Sequence, residues 1–176
     1  MKNPPRISIA LDDETYSIFN ELKESFSSAS EFFRELLKFY REFSFLEDYD
    51  PFKIRTYVEM LSEGEHVILD IDHLVAFLRF IKNHPDSEKF WKVHENISKA
   101  HADEFRGKDV NFILKRLETC NFFRLNVKEG EYTLVTGNEE VKEFTKKFLE
   151  GVFEGMGLKF EIKEEFAKLR IKTEKI

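Results

Sequence analysis

The chain has 176 residues, of which 41% are apolar and 35% charged, with a net charge of -6. That share of apolar side chains fills a folded core and excludes a disordered tail, and the length fits one medium domain or two small ones. The acidic balance excludes a general binder of polyanions, so any contact with nucleic acid must come from a local basic face.

From Arg6 the sequence reads Arg6-Ile7-Ser8-Ile9-Ala10-Leu11. Ile7, Ile9 and Leu11 fall on one face and Arg6, Ser8 and Ala10 on the other, which predicts a strand. Asp12-Asp13-Glu14 then carries helix-start chemistry, so no second strand lies within hairpin reach. The strand therefore needs a partner from another copy of the chain. A first helix is predicted over Asp13 to Phe26, with Ile18, Phe19 and Leu22 at helical spacing. The turn Phe26-Ser27-Ser28 contains no glycine. Ser28 caps a second helix, with Glu31 closing a Ser-x-x-Glu capping box. Phe32, Phe33, Leu36, Leu37, Phe39, Tyr40 and Phe43 then surround this helix, a breadth suited to burial in a dimer core.

An intermolecular two-stranded ribbon backed by two helices per subunit resembles the ribbon-helix-helix DNA-binding superfamily, that of Arc and MetJ, over residues 6–43. The resemblance implies a homodimer whose ribbon enters the major groove of double-stranded DNA, with Arg6, Ser8 and Ala10 facing the bases. It also implies that the start of the second helix, at Ser28, Ser30 and Glu31, clamps a phosphate through its backbone. Physical chemistry agrees, because unpaired N–H groups and the positive end of a helix dipole attract anions. Arg6 is the strong base reader, Ser8 is an ambiguous donor or acceptor, and Ala10 offers only a methyl contact. Residues 1–46 carry six basic and eight acidic residues. Lys2 and Arg6, doubled by the dimer, lie on the ribbon side.

A boundary is expected near Leu46 to Pro51, where Glu47-Asp48-Tyr49-Asp50-Pro51 interrupts the apolar pattern. Pro51 opens a helix to about Leu61, and His66 to Asp70 is a short strand or extended link. Asp72 caps a helix to about Asn83 with Leu74, Phe77, Leu78 and Ile81 on its inner face. Further helices run from Ser87 to Phe105 and from Asp109 to about Asn121. The period then changes: residues 122–128 and 131–136 alternate around Glu129-Gly130, a hairpin signal. Asn138 caps a helix to Glu154, and residues 158–163 and 167–173 form a second hairpin. The expected fold class is α+β. A ribbon-helix-helix domain for DNA binding and dimerisation occupies residues 1–46. Residues 50–176 form a helical segment and a β-β-α-β-β domain for effector sensing or oligomerisation.

Catalytic motifs are absent, and no enzyme is expected. Gly151, Gly155 and Gly157 lie toward the C-terminal end of a helix, the wrong end for a phosphate loop. A single cysteine, Cys120, leaves no disulfide framework and no cysteine-rich zinc site. His94 and His101 are the leading metal candidates and share one helix face with Glu104, while His66, Asp70, Asp72 and His73 cluster around a turn. Two turns place His94 and His101 ~10 Å apart, too far for one ion, so neither metal nor cofactor is expected. The abundance of phenylalanine downstream of residue 76 leaves room for a small apolar ligand. No apolar run reaches membrane-spanning length, and Met1-Lys2-Asn3-Pro4-Pro5 lacks a signal-peptide core, so a soluble cytoplasmic protein without membrane partners is expected. The absence of Gln and the wealth of Glu and Lys are hyperthermophile-like. Together these features predict a sequence-specific transcriptional regulator acting as a homodimer or a tetramer of such dimers. The alternative is a scaffold or antitoxin-like interaction protein that uses the same fold only to dimerise.

Overall fold

The structure, a computed structural model, describes residues 5–64 and 66–173. Lys2, expected on the ribbon side, lies outside the described residues. The chain divides into two compact units, one up to Pro51 and one from Phe52 onward.

In the first unit, residues 5–12 form no strand within the single chain, and Arg6, Ser8 and Ala10 are all exposed. Helix α1 covers Asp13–Leu22, with the Asp12 carboxylate accepting from the Thr15 N–H at 2.8 Å. The helix is shorter than its apolar spacing predicts. A 3-10 turn over Lys23–Ser25 follows, and Phe26 is extended. The early stop lets the Phe26 ring turn back onto Phe32, whose ring centroid lies 5.4 Å away. The reversal is therefore made without glycine and without a left-handed residue. Helix α2 covers Ala29–Phe43, and the 3-10 turn Ser44–Asp48 follows it. Phe19 lies edge-on to Phe32 and stacks on Phe33, which fixes α1 against α2.

The second unit is mixed helix and sheet. Helices α3 (Pro51–Ser62), α4 (Ile71–Lys82), α5 (Ser87–Glu104) and α6 (Val110–Thr119) precede strands β1 (Arg124–Lys128) and β2 (Glu131–Val135). Helix α7 (Glu139–Gly155) and strands β3 (Phe160–Glu165) and β4 (Lys168–Thr173) complete it. The four strands form an antiparallel sheet in the order β1-β2-β4-β3. Leu134 stands opposite Leu169, and Tyr132 opposite Ile171. The β1–β2 loop has two residues at positive φ, Glu129 and Gly130, the turn geometry that matches strand twist. On the inner face Leu134, Leu169 and Ile171 are fully buried with Ile113 and Leu114 of α6 and Leu149, Val152 and Phe153 of α7.

Helix α4 departs from its sequence reading in two ways. Its cap is Asp70, two residues earlier than Asp72, with the carboxylate accepting from the Asp72 N–H at 2.8 Å. On its inner face Leu74 and Leu78 pack inward as their spacing predicts, but Val75 joins them on Val141, whereas Phe77 is more than half exposed and stacks on His73. Residues 66–70 form no strand. The side of α7 away from the sheet packs on α5 at unusually short range. A Cβ placed on Gly151 would lie 2.6 Å from the Ser98 Cβ, and one on Gly155 would lie 2.6 Å from the Ala102 Cβ. Two glycines on α7 facing two small residues on α5, each pair four apart, bring the helix backbones together. That close approach sets the position of every side chain these two helices share.

Candidate functional site

The expected DNA-facing residues lie in the first unit. Arg6, Ser8 and Ala10 sit on the extended segment before α1, all exposed, with Ile7 and Ile9 between them exposed at 77% and 50%. At the start of α2 the Ser28 hydroxyl accepts from the Glu31 N–H at 3.2 Å, so Ser28 is the cap. The Glu31 carboxylate does not return to the Ser28 N–H as a capping box requires. It accepts instead from the N–H of Ser27 at 2.8 Å and from the Ser27 hydroxyl. The box is displaced by one residue because Ser27 offers a hydroxyl as well as an amide. Those two hydrogen bonds hold the Glu31 carboxyl below its usual carboxylate range, the hydroxyl contributing most. The helix start therefore already carries one anion of its own.

In the second unit α5, α6 and α7 enclose a cavity of about 300 Å³. Its walls are apolar: Phe90, Phe122, Phe144 and Phe148 contribute rings, and Met60, Ile97 and Leu117 fill between them. His94, Ile97, His101 and Glu104 recur along one face of α5 and all line it. Cys120 lies beside Met60, sulfur to sulfur at 3.7 Å. Burial pushes the Cys120 thiol up, with the nearby Arg116 acting weakly against it, so the sulfur behaves as an apolar lining atom and not as a nucleophile.

Three histidines line this cavity, and each has a ring nitrogen against a backbone carbonyl. His94 Nε2 is 3.1 Å from the Phe144 oxygen, His101 Nδ1 is 2.9 Å from the Ile97 oxygen, and His66 Nδ1 is 3.2 Å from the Met60 oxygen. A carbonyl only accepts, so each of these nitrogens carries the proton. In the neutral ring the opposite nitrogen is then an acceptor. Burial pushes His94 below its ordinary range, opposed by the Phe144 carbonyl and reinforced by Lys147, and so favours the neutral ring. Among polar side chains, Thr145 stands apart. It is 2% exposed, it lines the cavity, and its hydroxyl has no hydrogen-bond partner among the described residues.

The chain matches no family model, no curated protein and no solved structure.

The geometry brings some predicted site residues together and separates others. His94, His101 and Glu104 share the cavity as their spacing on one helix face predicts. Of the second histidine cluster, only His66 reaches it, since Asp70 is spent on the α4 cap and His73 stacks on Phe77. Among the described residues no group of three potential ligands converges on a metal position. Met60, Arg116 and Thr145 escape a reading by sequence because each reaches the cavity from a different helix. Only the tertiary fold makes them neighbours. No described helix is long and apolar enough to cross a membrane.

Proposed function

We propose that the chain is a sequence-specific DNA-binding transcriptional regulator that acts as a homodimer of the ribbon-helix-helix type. In this reading the second unit senses an effector. The observation that carries the reading is the uncovered apolar surface of the first unit. Ile7, Ile9, Ile18, Leu22, Leu37 and Phe39 are each about half exposed or more, although they make up the apolar pattern of the segment. Phe32 is the one buried apolar residue among the described residues of α1 and α2. Large apolar patches of this kind are covered by partners. A second copy supplies the cover with the smallest set of assumptions, because pairing of residues 6–11 across the two-fold axis satisfies the strand backbone and buries Ile7 and Ile9 together.

A dimer built in this way presents two copies of Arg6, Ser8 and Ala10 on one ribbon face. The Glu31 amide is taken by the Ser28 cap, but the Ser30 amide, with the helix dipole behind it, suits a DNA phosphate. Dimerisation without DNA is the second reading, and the Glu31 carboxylate at that same helix start favours it, because it opposes a phosphate there.

A binding selection on genomic fragments, followed by titration of the selected duplex at several salt concentrations, separates the two. The regulator reading expects a protein dimer and an affinity that falls linearly with the logarithm of salt, with a slope of about -0.9 for each phosphate neutralised. A dimer that selects no duplex, even at low salt, establishes the scaffold reading.

A further inference from the structure

We propose that the outer face of the four-stranded sheet is a second, sequence-independent DNA contact that holds the phosphate backbone of a duplex. The proposal deepens the DNA-binding reading above and rests on it for its setting, but the two fail in different ways in the experiment below.

One side of the sheet is covered. Leu134, Leu169 and Ile171 point into the core with the helices, so the residues that alternate with them point outward. On β4, an interior strand, those residues are Lys168, Arg170 and Lys172, all exposed. Side chains two residues apart on a strand stand ~7 Å apart, close to the step between successive phosphates of a nucleic-acid strand. The register widens this cationic ridge. Arg124 on β1 and Lys168 flank Val135 in one row, Lys163 on β3 stands directly opposite Arg170 in the next, and Lys128 lies opposite Glu131 at the end of β1.

The carboxylates on this face are Glu131, Glu161 and Glu165, half as many as the cations, in a chain whose net charge is -6. Each holds one cation: Glu131 pairs with Lys172, Glu161 with Lys163 at 3.2 Å and Glu165 with Arg170 at 2.7 Å. These pairs are exposed, contribute little, and exchange a carboxylate for a phosphate at small cost. Arg124, Lys128 and Lys168 have no ion-pair partner among the described residues. Lys163 opposite Arg170 sets like charges across a strand pair, which is destabilising until an anion lies between them.

The uncharged residues of this face are Asn126, Thr133 and Val135, with no aromatic ring among them. A single strand is held by stacking its bases on aromatic side chains, so this surface suits a backbone whose bases are turned away, that of a duplex. The first unit leaves such a contact to be supplied elsewhere. Its residues 1–46 carry eight acidic and six basic residues, so the ribbon has little charge of its own with which to hold phosphates.

The test uses the full chain with a duplex taken from the selection, an unrelated duplex of the same length, one of its single strands, and poly-glutamate. The triple variant Lys168→Thr, Arg170→Thr, Lys172→Thr keeps good strand formers on β4 and should lower affinity for both duplexes about 10–100-fold at ~0.15 M salt. It should also reduce the slope of log affinity against log salt by about 2–3, with the preference for the selected duplex unchanged. Glu161→Gln with Glu165→Gln should act in the opposite direction and raise duplex affinity about fivefold, which a misfolded variant cannot do. Selective duplex binding whose strength and salt slope the triple variant leaves unchanged would overturn the sheet contact and spare the regulator reading. Equal binding of both duplexes, lost in the triple variant, would refute the regulator reading and support the sheet contact. Tighter binding of the single strand, or poly-glutamate competing as well as duplex, would overturn the assignment to duplex DNA. Absence of binding to either duplex at low salt would overturn both readings.

Discussion

Gly151→Ala should destabilise the second unit, although alanine is the better helix former. In an isolated helix the exchange would stabilise by about 1 kcal/mol. Here the new Cβ would stand 2.6 Å from the Ser98 Cβ. Apolar carbons rest at about 3.8 Å, so the overlap is roughly 1.2 Å. The partner is the stem atom of a fully buried side chain and has no rotamer by which to withdraw. Helices α5 and α7 must therefore separate by about 1 Å. A gap of that size forfeits a quarter to a half of the dispersion energy along the crossing. Overpacking costs typically run at about 1–3 kcal/mol, and the upper end applies where two backbones meet. Subtracting the propensity gain leaves a net loss of about 2 kcal/mol, or a fall of roughly 8 °C in Tm for a unit of this size. Thermal unfolding of Gly151→Ala, Ser98→Gly and the double variant gives a coupling energy, expected to exceed about 1 kcal/mol, because removing the Ser98 Cβ readmits the alanine. A Gly151→Ala protein with a raised Tm and no coupling to Ser98 would refute the close-crossing argument.

Arg6→Ala should lower affinity for a selected duplex by about 1–3 kcal/mol and leave Tm unchanged, since the exposed side chain packs on nothing in the first unit; gel-shift and melting data check both. Lys142→Met should lower the urea midpoint with an unchanged m-value, a loss of about 1–3 kcal/mol. The buried ammonium donates to the Phe166 carbonyl at 3.0 Å and to Glu139, and methionine leaves that carbonyl unpaired. The depressed pKa of His94 means that the unfolded chain takes up its proton first. This part of the stability is complete above the ordinary value near 6.5 and declines as pH falls from there toward the lower folded value. Melting temperatures of wild type and His94→Gln across pH 5 to 8 check the sign, and the variant should show the shallower decline below pH 6.5.

Local chemistry was legible in the sequence. Ser28, Asp109 and Asn138 cap their helices because a cap needs only a side-chain oxygen and an amide two or three residues on. Glu129-Gly130 forms the β1–β2 turn because a two-residue loop demands positive φ at both positions. What depends on distant neighbours was not legible. The pairing of β2 with β4 joins two hairpins separated by a helix, and no periodicity encodes it. Phe77 fits the inner stripe of α4 by spacing together with Leu78, yet Val75 joins Leu78 on Val141 in its place, since the partner helix decides which side of a broad apolar face is covered. Gly151 and Gly155 read only as glycines toward the C-terminal end of a helix, while their role is steric and visible only beside Ser98 and Ala102. His94, His101 and Glu104 could be placed on one helix face, but the empty volume they border exists only once α6 and α7 enclose it.

The α5–α7 crossing has a mechanical consequence. Two helices that touch through glycine and small side chains have almost nothing compressible between them, so the joint bears load like a rigid seat. The two cavity walls mounted on it, His94 to His101 and Phe144 to Phe148, keep a fixed span. Helix α3 is fastened differently, by discrete side-chain ties such as the Tyr57 hydroxyl to the Thr119 carbonyl and Met60 against Cys120. Met60, with His66 beyond the end of α3, thus forms the part of the cavity border that is held by side-chain ties and not by backbone contact. Helix α3, which carries Met60, begins at Pro51.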